Sequence, residues 1–202
     1  MWALIEDNAI VKMINNPKGM VIGDTRYSRN IFSFRWSNAE REAIGLYEVV
    51  FDNSNKKDEQ WYINTNQTFA FADDTVTASY GSATPKSHAD TLFTAQDETD
   101  GKGTEGEVAA RGLKYNLIQN IKLEVSVLLQ NTDWYITRKS DAGTEVPSSI
   151  TTYRASVRTK ADEMETAITN ASNTPALETL YTYTTTDGVQ SRPLGELPTL
   201  ES

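Results

Sequence analysis

Ser87, His88 and Asp90 stand within four residues of one another and carry the residue types of a nucleophile, a base and an orienting acid. Nucleophilic catalysis needs those groups held rigidly in mutual reach. A flexible polar stretch does not supply that rigidity, so His88, the one histidine of the chain, reads as a solvated side chain. The acidic run Gln96-Asp97-Glu98-Thr99-Asp100-Gly101, with Glu107 beyond it, suggests calcium-loop spacing. With Gly101 as the sixth loop position, Glu107 falls at the twelfth. The first ligand position would then be glutamine rather than aspartate, and an ordinary acidic loop is the better reading. Asp162, Glu163 and Glu165 belong to a helical stretch in which Asp162 and Glu165 share a face with Arg158, a solvated charge pattern rather than an acid–base pair. Gly101, Gly103 and Gly106 follow no strand and precede no Gly-Lys-Ser/Thr, so they form no phosphate loop. No catalytic residue, cofactor or metal site is expected, and the chain does not read as an enzyme.

The elements that would position any site divide the 202 residues unevenly. Residues 1–80 read as a strand-rich α+β domain. Strands are expected at 2–5, 10–14, 31–34, 46–51, 61–63, 69–71 and 76–80. Asp7 and Asn8 tolerate positive φ and suit a tight hairpin. Ser37-Asn38-Ala39-Glu40 matches a capping box that opens one short helix, and Gly45 is placed to end it in the left-handed conformation. Residues 81–107 are rich in Gly, Thr, Ser and charge and read as an extended linker or arm. Residues 108–185 read as an antiparallel helical hairpin with a short third helix. Leu113, Leu117, Ile121, Val125 and Leu128 form one apolar stripe. Ile150, Tyr153, Val157, Ala161, Met164 and Ile168 form its counterpart. Pro147 fits the first turn of the second helix, a polar loop around Asp133 and Trp134 joins the two, and Thr174 would cap the third. Residues 186–202 read as an extended tail, with Asp187-Gly188 able to close a hairpin.

Composition narrows the partners. The net charge is −9 and the pI about 4.7. An acidic surface repels phosphate backbones, so nucleic acid is not expected as a partner. Cysteine is absent, which excludes disulfides and thiolate zinc sites and fits assembly in a reducing cytoplasm. The start MWALIEDNAI lacks a signal-peptide pattern, and no window approaches the ~18 apolar residues of a membrane span. At 38% the hydrophobic share is low for one compact globule, which implies extended parts or burial against partners.

Trp36, Trp61, Tyr62, Phe69 and Phe71 cluster in the strand region and read first as its core. A partner surface or a carbohydrate platform is the functional alternative, and Trp61 is the residue whose replacement would test glycan binding. Trp134 is expected to fill the fold of the helical loop, with Asp133 capping that loop through backbone amides.

Thr132-Asp133-Trp134, Arg138-Lys139, Gly143, Pro147, Tyr153-Arg154 and Val157-Arg158 together resemble the Leu-x-x-Thr-Asp-Trp … Pro … Tyr-Arg pattern of tailed-bacteriophage tail-fibre and tail-assembly (chaperone-like) proteins. Trp36-Ser37, Glu40-Arg41 and the run from Ile44 to Val50 resemble a segment common in phage tail-associated proteins. The two patches cover about a quarter of the chain. The inserted Arg138–Glu145 stretch and the large N-terminal region favour a virion part over a minimal chaperone. The resemblance implies a structural adaptor in the tail, baseplate or fibre-attachment region, made in the host cytoplasm and carried in the virion. Its partners would be other phage structural proteins and copies of itself, with no membrane involved. The alternatives are an assembly chaperone absent from the mature particle and a receptor- or glycan-binding tail module. The family brings no catalytic residues.

Overall fold

The computed structural model describes residues 1–200 and is α+β, a strand-rich region followed by helices. The chain divides into two compact units, Met1–Thr84 and Pro85–Ser202.

The first unit is built on a sheet of five strands: β1 (Trp2–Glu6), β2 (Ala9–Ile14), β5 (Leu46–Asp52), β7 (Gln67–Ala72) and β8 (Thr75–Tyr80). Their order across the sheet is β2-β1-β5-β8-β7. Neighbours run antiparallel except β5 and β8, which are parallel with Val49 opposite Val76. Asp7 and Asn8 take φ of 49° and 61° in the first hairpin, as expected of the two residues. Asp73 and Asp74 do the same between β7 and β8, at 48° and 54°. Side chains alternate across a strand, so β1 serves two cores. Ala3 and Ile5 join Val49, Val76 and Ala78, with Phe69 and Phe71 packed against them. Trp2 joins Ile14, Ile31 and Leu46 in the second core.

That second core is roofed by the hairpin of β3 (Met20–Ile22) and β4 (Thr25–Tyr27), a 3-10 turn at Arg29–Phe32, and α1 (Asn38–Glu42). The 3-10 turn stands where a strand over 31–34 was expected. Ser28 Oγ accepts from the Asn30 amide and offers the backbone a local alternative to a ladder. Ile31 is buried as a result and Phe34 is left almost wholly exposed. Both reciprocal bonds of the Ser37–Glu40 capping box are made. Gly45 takes φ 76°, and a Cβ there would collide with the Ile5 carbonyl. Two short strands, β6 (Tyr62–Ile63) and β9 (Thr84–Pro85), complete this part of the chain.

The second unit departs from the expected linker. Residues 85–107, assigned to an extended arm, belong to this unit and fold locally. β10 (Thr91–Leu92) pairs antiparallel with β11 (Val108–Ala110), and α2 (Ala95–Thr99) lies between them in a second capping box, Thr94 with Asp97. The polar residues that suggested a solvated arm are spent on backbone groups. Asp90 accepts from the Gly112 amide at 2.8 Å and from Arg111 at 2.6 Å. A Cβ on Gly112 would strike the Ala89 carbonyl.

The helices are α3 (Leu113–Gln130), α4 (Asp133–Ala142), α5 (Ser148–Asn170) and α6 (Thr174–Tyr181). Lys114 bonds the Thr169 carbonyl, Lys122 pairs with Glu165, and Arg154 bonds the Leu129 carbonyl. Partner numbers fall as α3 numbers rise, so α3 and α5 run antiparallel as expected. The α5 stripe at Ile150, Tyr153, Val157, Ala161, Met164 and Ile168 is buried, together with Leu117 and Ile121 of α3. Each fully buried aliphatic side chain of this kind contributes about 1.5–3 kcal/mol. The expected polar loop is corrected: Asp133 and Trp134 begin the ten-residue helix α4. The true connection is shorter, from Gly143 at φ 67° to Pro147, which caps α5 rather than entering its first turn. Asn173, not Thr174, caps α6. Thr174 instead donates to the Lys86 carbonyl.

The expected tail boundary at 186 falls inside the hairpin of β12 (Thr184–Thr186) and β13 (Val189–Ser191), closed by Asp187-Gly188 as read. Beyond it the chain is pinned: Leu194 is buried and its amide donates to the Leu180 carbonyl. Among the described residues no helix is long and apolar enough to cross a membrane.

Candidate functional site

Three residues of the longer resemblance patch, Thr132, Asp133 and Arg154, meet where α3, α4 and α5 join. The Thr132-Asp133 step does not continue α3 smoothly, because Thr132 takes φ −119°, ψ 2° between the helices. Its hydroxyl donates back to the Leu129 carbonyl at 2.9 Å, closing the end of α3. Arg154, in the second turn of α5, reaches this break from 22 residues away. Its Nη1 lies 2.6 Å from Thr132 Oγ1, 2.8 Å from the Leu129 carbonyl and 2.8 Å from Asp133 Oδ1. Two hydrogens therefore serve three acceptors, a shared arrangement that fixes the angle between helices. Thr132 is fully buried and Arg154 is 9% exposed.

Asp133 does not cap backbone amides as expected; its carboxylate takes the guanidinium. That carboxylate is 57% exposed, so water screens the pair. Trp134 does not fill an interior space either. It is 54% exposed, meets the Tyr135 ring at a tilt of 39° and is covered on one side by Arg138. Tyr153 is buried on the adjacent face of α5, and Pro147 stands exposed at that helix's start. Along α3, an open apolar groove of about 470 Å³ is lined by Leu123, Val127, Leu197 and Pro198.

The aromatic candidates of the first unit are distributed as a core would place them. Trp61 is 3% exposed, which removes it as a glycan platform. Trp36 is half-buried and meets Tyr27 edge-on at 5.9 Å. Tyr62 is half-buried in β6. A cavity of about 240 Å³ opens beside Trp2, Arg41 and Tyr47. Arg41, to which the residue patterns gave no role of its own, is the buried cation there. It donates to the Ile31 and Ser33 carbonyls and to Asn38 Oδ1, and its guanidinium lies over the Trp2 ring. Its signal was its place inside the capped helix, next to solvent-facing Glu40 and Glu42.

The chemistry-bearing patterns are not assembled into a reaction site. Ser87 donates to the Ala89 carbonyl, and Asp90 holds Arg111 and the Gly112 amide. Backbone and Arg111 hydrogen bonds keep the Asp90 carboxyl below its ordinary value. In the acidic run, Asp97 accepts from the Thr94 amide and hydroxyl and from Lys102, which takes its carboxyl down to about 2. Asp100 is held by Gln96 and Lys102, and Glu98 by the Glu105 amide. Glu165 pairs with Lys122 and Glu163 with Lys160, while Arg158 donates to the Arg154 carbonyl rather than to Asp162. Among the described residues no group of three or more carboxylates or histidines is placed to hold a metal ion.

The second unit has one further polar knot that the sequence did not reveal. Arg192 is paired with Glu196, and its guanidinium lies 5.3 and 5.2 Å from the Tyr181 and Tyr183 rings. Burial pushes the Tyr181 hydroxyl up to about 12. The Tyr183 hydroxyl is raised chiefly by its bond to Glu196.

No family model matches this chain, and neither a curated protein nor a solved structure matches it significantly.

Proposed function

We propose that this chain is a structural adaptor of a tailed-phage virion, in the tail, baseplate or fibre-attachment region, that works by docking to other virion proteins. The observation that carries the reading is the convergence of Thr132, Asp133 and Arg154. These residues belong to the patch that carries the resemblance, and together they tie three helices at one junction. Their neighbour Trp134 is left facing outward. Thr132 is fully buried and Arg154 nearly so, which suits side chains that act on the helices they join.

Exposed apolar side chains supply docking surface in both units. In the first they include Phe34, Val50 and Phe51; in the second, Leu123, Val127, Trp134 and Ile136. Leu123 and Val127 lie together with Leu197 and Pro198 in the open apolar groove, and a contiguous apolar patch of this kind suits an interaction face.

A mass-spectrometric inventory of purified particles tests the proposal. The chain is expected at a fixed ratio to the other tail proteins. Recovery from infected lysate in a soluble complex, with none in the finished particle, would replace the adaptor by an assembly chaperone.

A further inference from the structure

Helix α4 is ten residues long and buries none of its side chains. A helix that short is marginal in water on propensity alone, and packing of one face normally sustains it. At 3.6 residues per turn, Trp134, Arg138 and Asp141 fall on one face, at i, i+4 and i+7. The Arg138 guanidinium lies 4.5 Å from the Trp134 ring centre and 5.8 Å from that of Tyr135. Its Nε is shielded from solvent yet has no hydrogen-bond partner among the described residues. The neighbouring charges are committed: Asp133 to Arg154 and Lys139 to Glu145. Arg138 and Asp141 take part in none of the ion pairs among the described residues. One face therefore presents a cation and a carboxylate a single turn apart, neither in an ion pair among the described residues, with the cation lying over a half-exposed indole.

We propose that this face binds the same face of a second copy of the chain, with the two α4 helices antiparallel across a two-fold axis. A two-fold contact is self-complementary: what residue i makes to j, residue j makes to i. With the axis between positions 138 and 141, each Arg138 meets the other copy's Asp141, and the pair forms twice. Trp134 flanks the pairs at both ends and limits water access to them. The mixture of signs fits a second copy, which carries the same pattern in reverse order across the axis, and disfavours uniformly charged partners. A uniformly acidic surface would be repelled by Asp141, and a uniformly basic one by Arg138. The helix is only ~15 Å long, so the contact is small and the association weak and reversible. It does not depend on the virion reading and stands or falls separately.

Analytical ultracentrifugation of the full chain at low salt provides the test. The weight-average mass should rise with concentration from one chain toward two. Arg138→Asp and Asp141→Arg, each checked for folding by circular dichroism, should each weaken association by about tenfold or more. Asp141 is exposed, so its replacement keeps the test valid even if Arg138→Asp fails to fold. The double variant Arg138→Asp/Asp141→Arg keeps the face self-complementary and should recover the wild-type equilibrium. A mixture of the two single variants should form a mixed dimer tighter than either alone. A mass of one chain at every concentration, or association indifferent to Asp141→Arg, overturns the proposal.

Discussion

Arg41 in the first unit and Arg154 in the second are both buried, yet they are held by different chemistry over different distances. Arg41 bonds two carbonyls and one amide oxygen, all within ten residues, and no carboxylate. It ties a 3-10 turn to the helix that follows. Arg154 spans 21 to 25 residues to a carbonyl, a hydroxyl and a carboxylate, and ties three helices together. A guanidinium serves both because its several donors are fixed in a plane. The contrast teaches that the first unit uses its arginine to hold a local turn, whereas the second uses it to set the angle of α4, the helix that shows Trp134 to solvent.

Replacing these residues separates the two roles. Arg154→Ala should have the largest effect, about 3 kcal/mol in urea unfolding, because the buried Thr132 hydroxyl loses its charged donor and the three helices lose the side chain that joins them. Arg41→Ala should cost less, roughly 2 kcal/mol, since Ser33 and Asn38 lie nearer solvent and water can replace the guanidinium. An equal or reversed order would show that the long-range knot is not the more demanding one. Ser37→Ala removes one side of the capping box and should cost about 1 kcal/mol. Asp133→Asn should cost under about 1 kcal/mol, and its effect should shrink with added salt, because the carboxylate is largely exposed. A larger or salt-independent loss would mean that the ion pair, rather than the hydroxyl and carbonyl, holds the junction.

The acidic turn at 94–102 offers a pH test. The Asp97 carboxyl lies near 2 in the folded chain, below the ~3.9 of a free aspartate. A depressed carboxyl contributes stability above its unfolded value and loses it as pH falls through the folded one. The protection of the Thr94 amide against exchange should therefore vanish with a midpoint near 2. A midpoint at the free value would show that the Asp97 bonds do not persist in solution.

Patterns that repeat are legible in the sequence. The α3 and α5 stripes follow from helical spacing, and their burial at Leu117, Ile121, Val157 and Ile168 leaves little freedom in how the helices face each other. The capping box at Ser37 and the turn at Asp7-Asn8 are local chemistry and need no tertiary context. The segment 81–107 looks like an arm because composition alone cannot tell polar groups that face water from polar groups that bond the backbone. Asp90 and Asp97 are of the second kind. Helix α4 escapes the periodic pattern for a related reason: it buries nothing, so no apolar stripe marks it. Of the site, Thr132, Asp133 and Arg154 stand out as a set, but their roles depend on which oxygen Arg154 reaches, and that is long-range information. The exposure of Trp134 and the burial of Trp61 are long-range in the same sense: the first reverses the interior place expected of it, and the second removes Trp61 as a glycan platform.

The proposed docking role is tested most directly by what touches α4 in purified particles. Lys139 sits on that helix with an exposed side chain. Amine cross-linking of purified virions, read by mass spectrometry, should join Lys139 to a lysine of a different polypeptide. Cross-links from Lys139 only to other lysines of this sequence, in particles that contain the protein, would contradict the docking proposal; a Lys139–Lys139 link needs two copies and would report the α4 dimer instead.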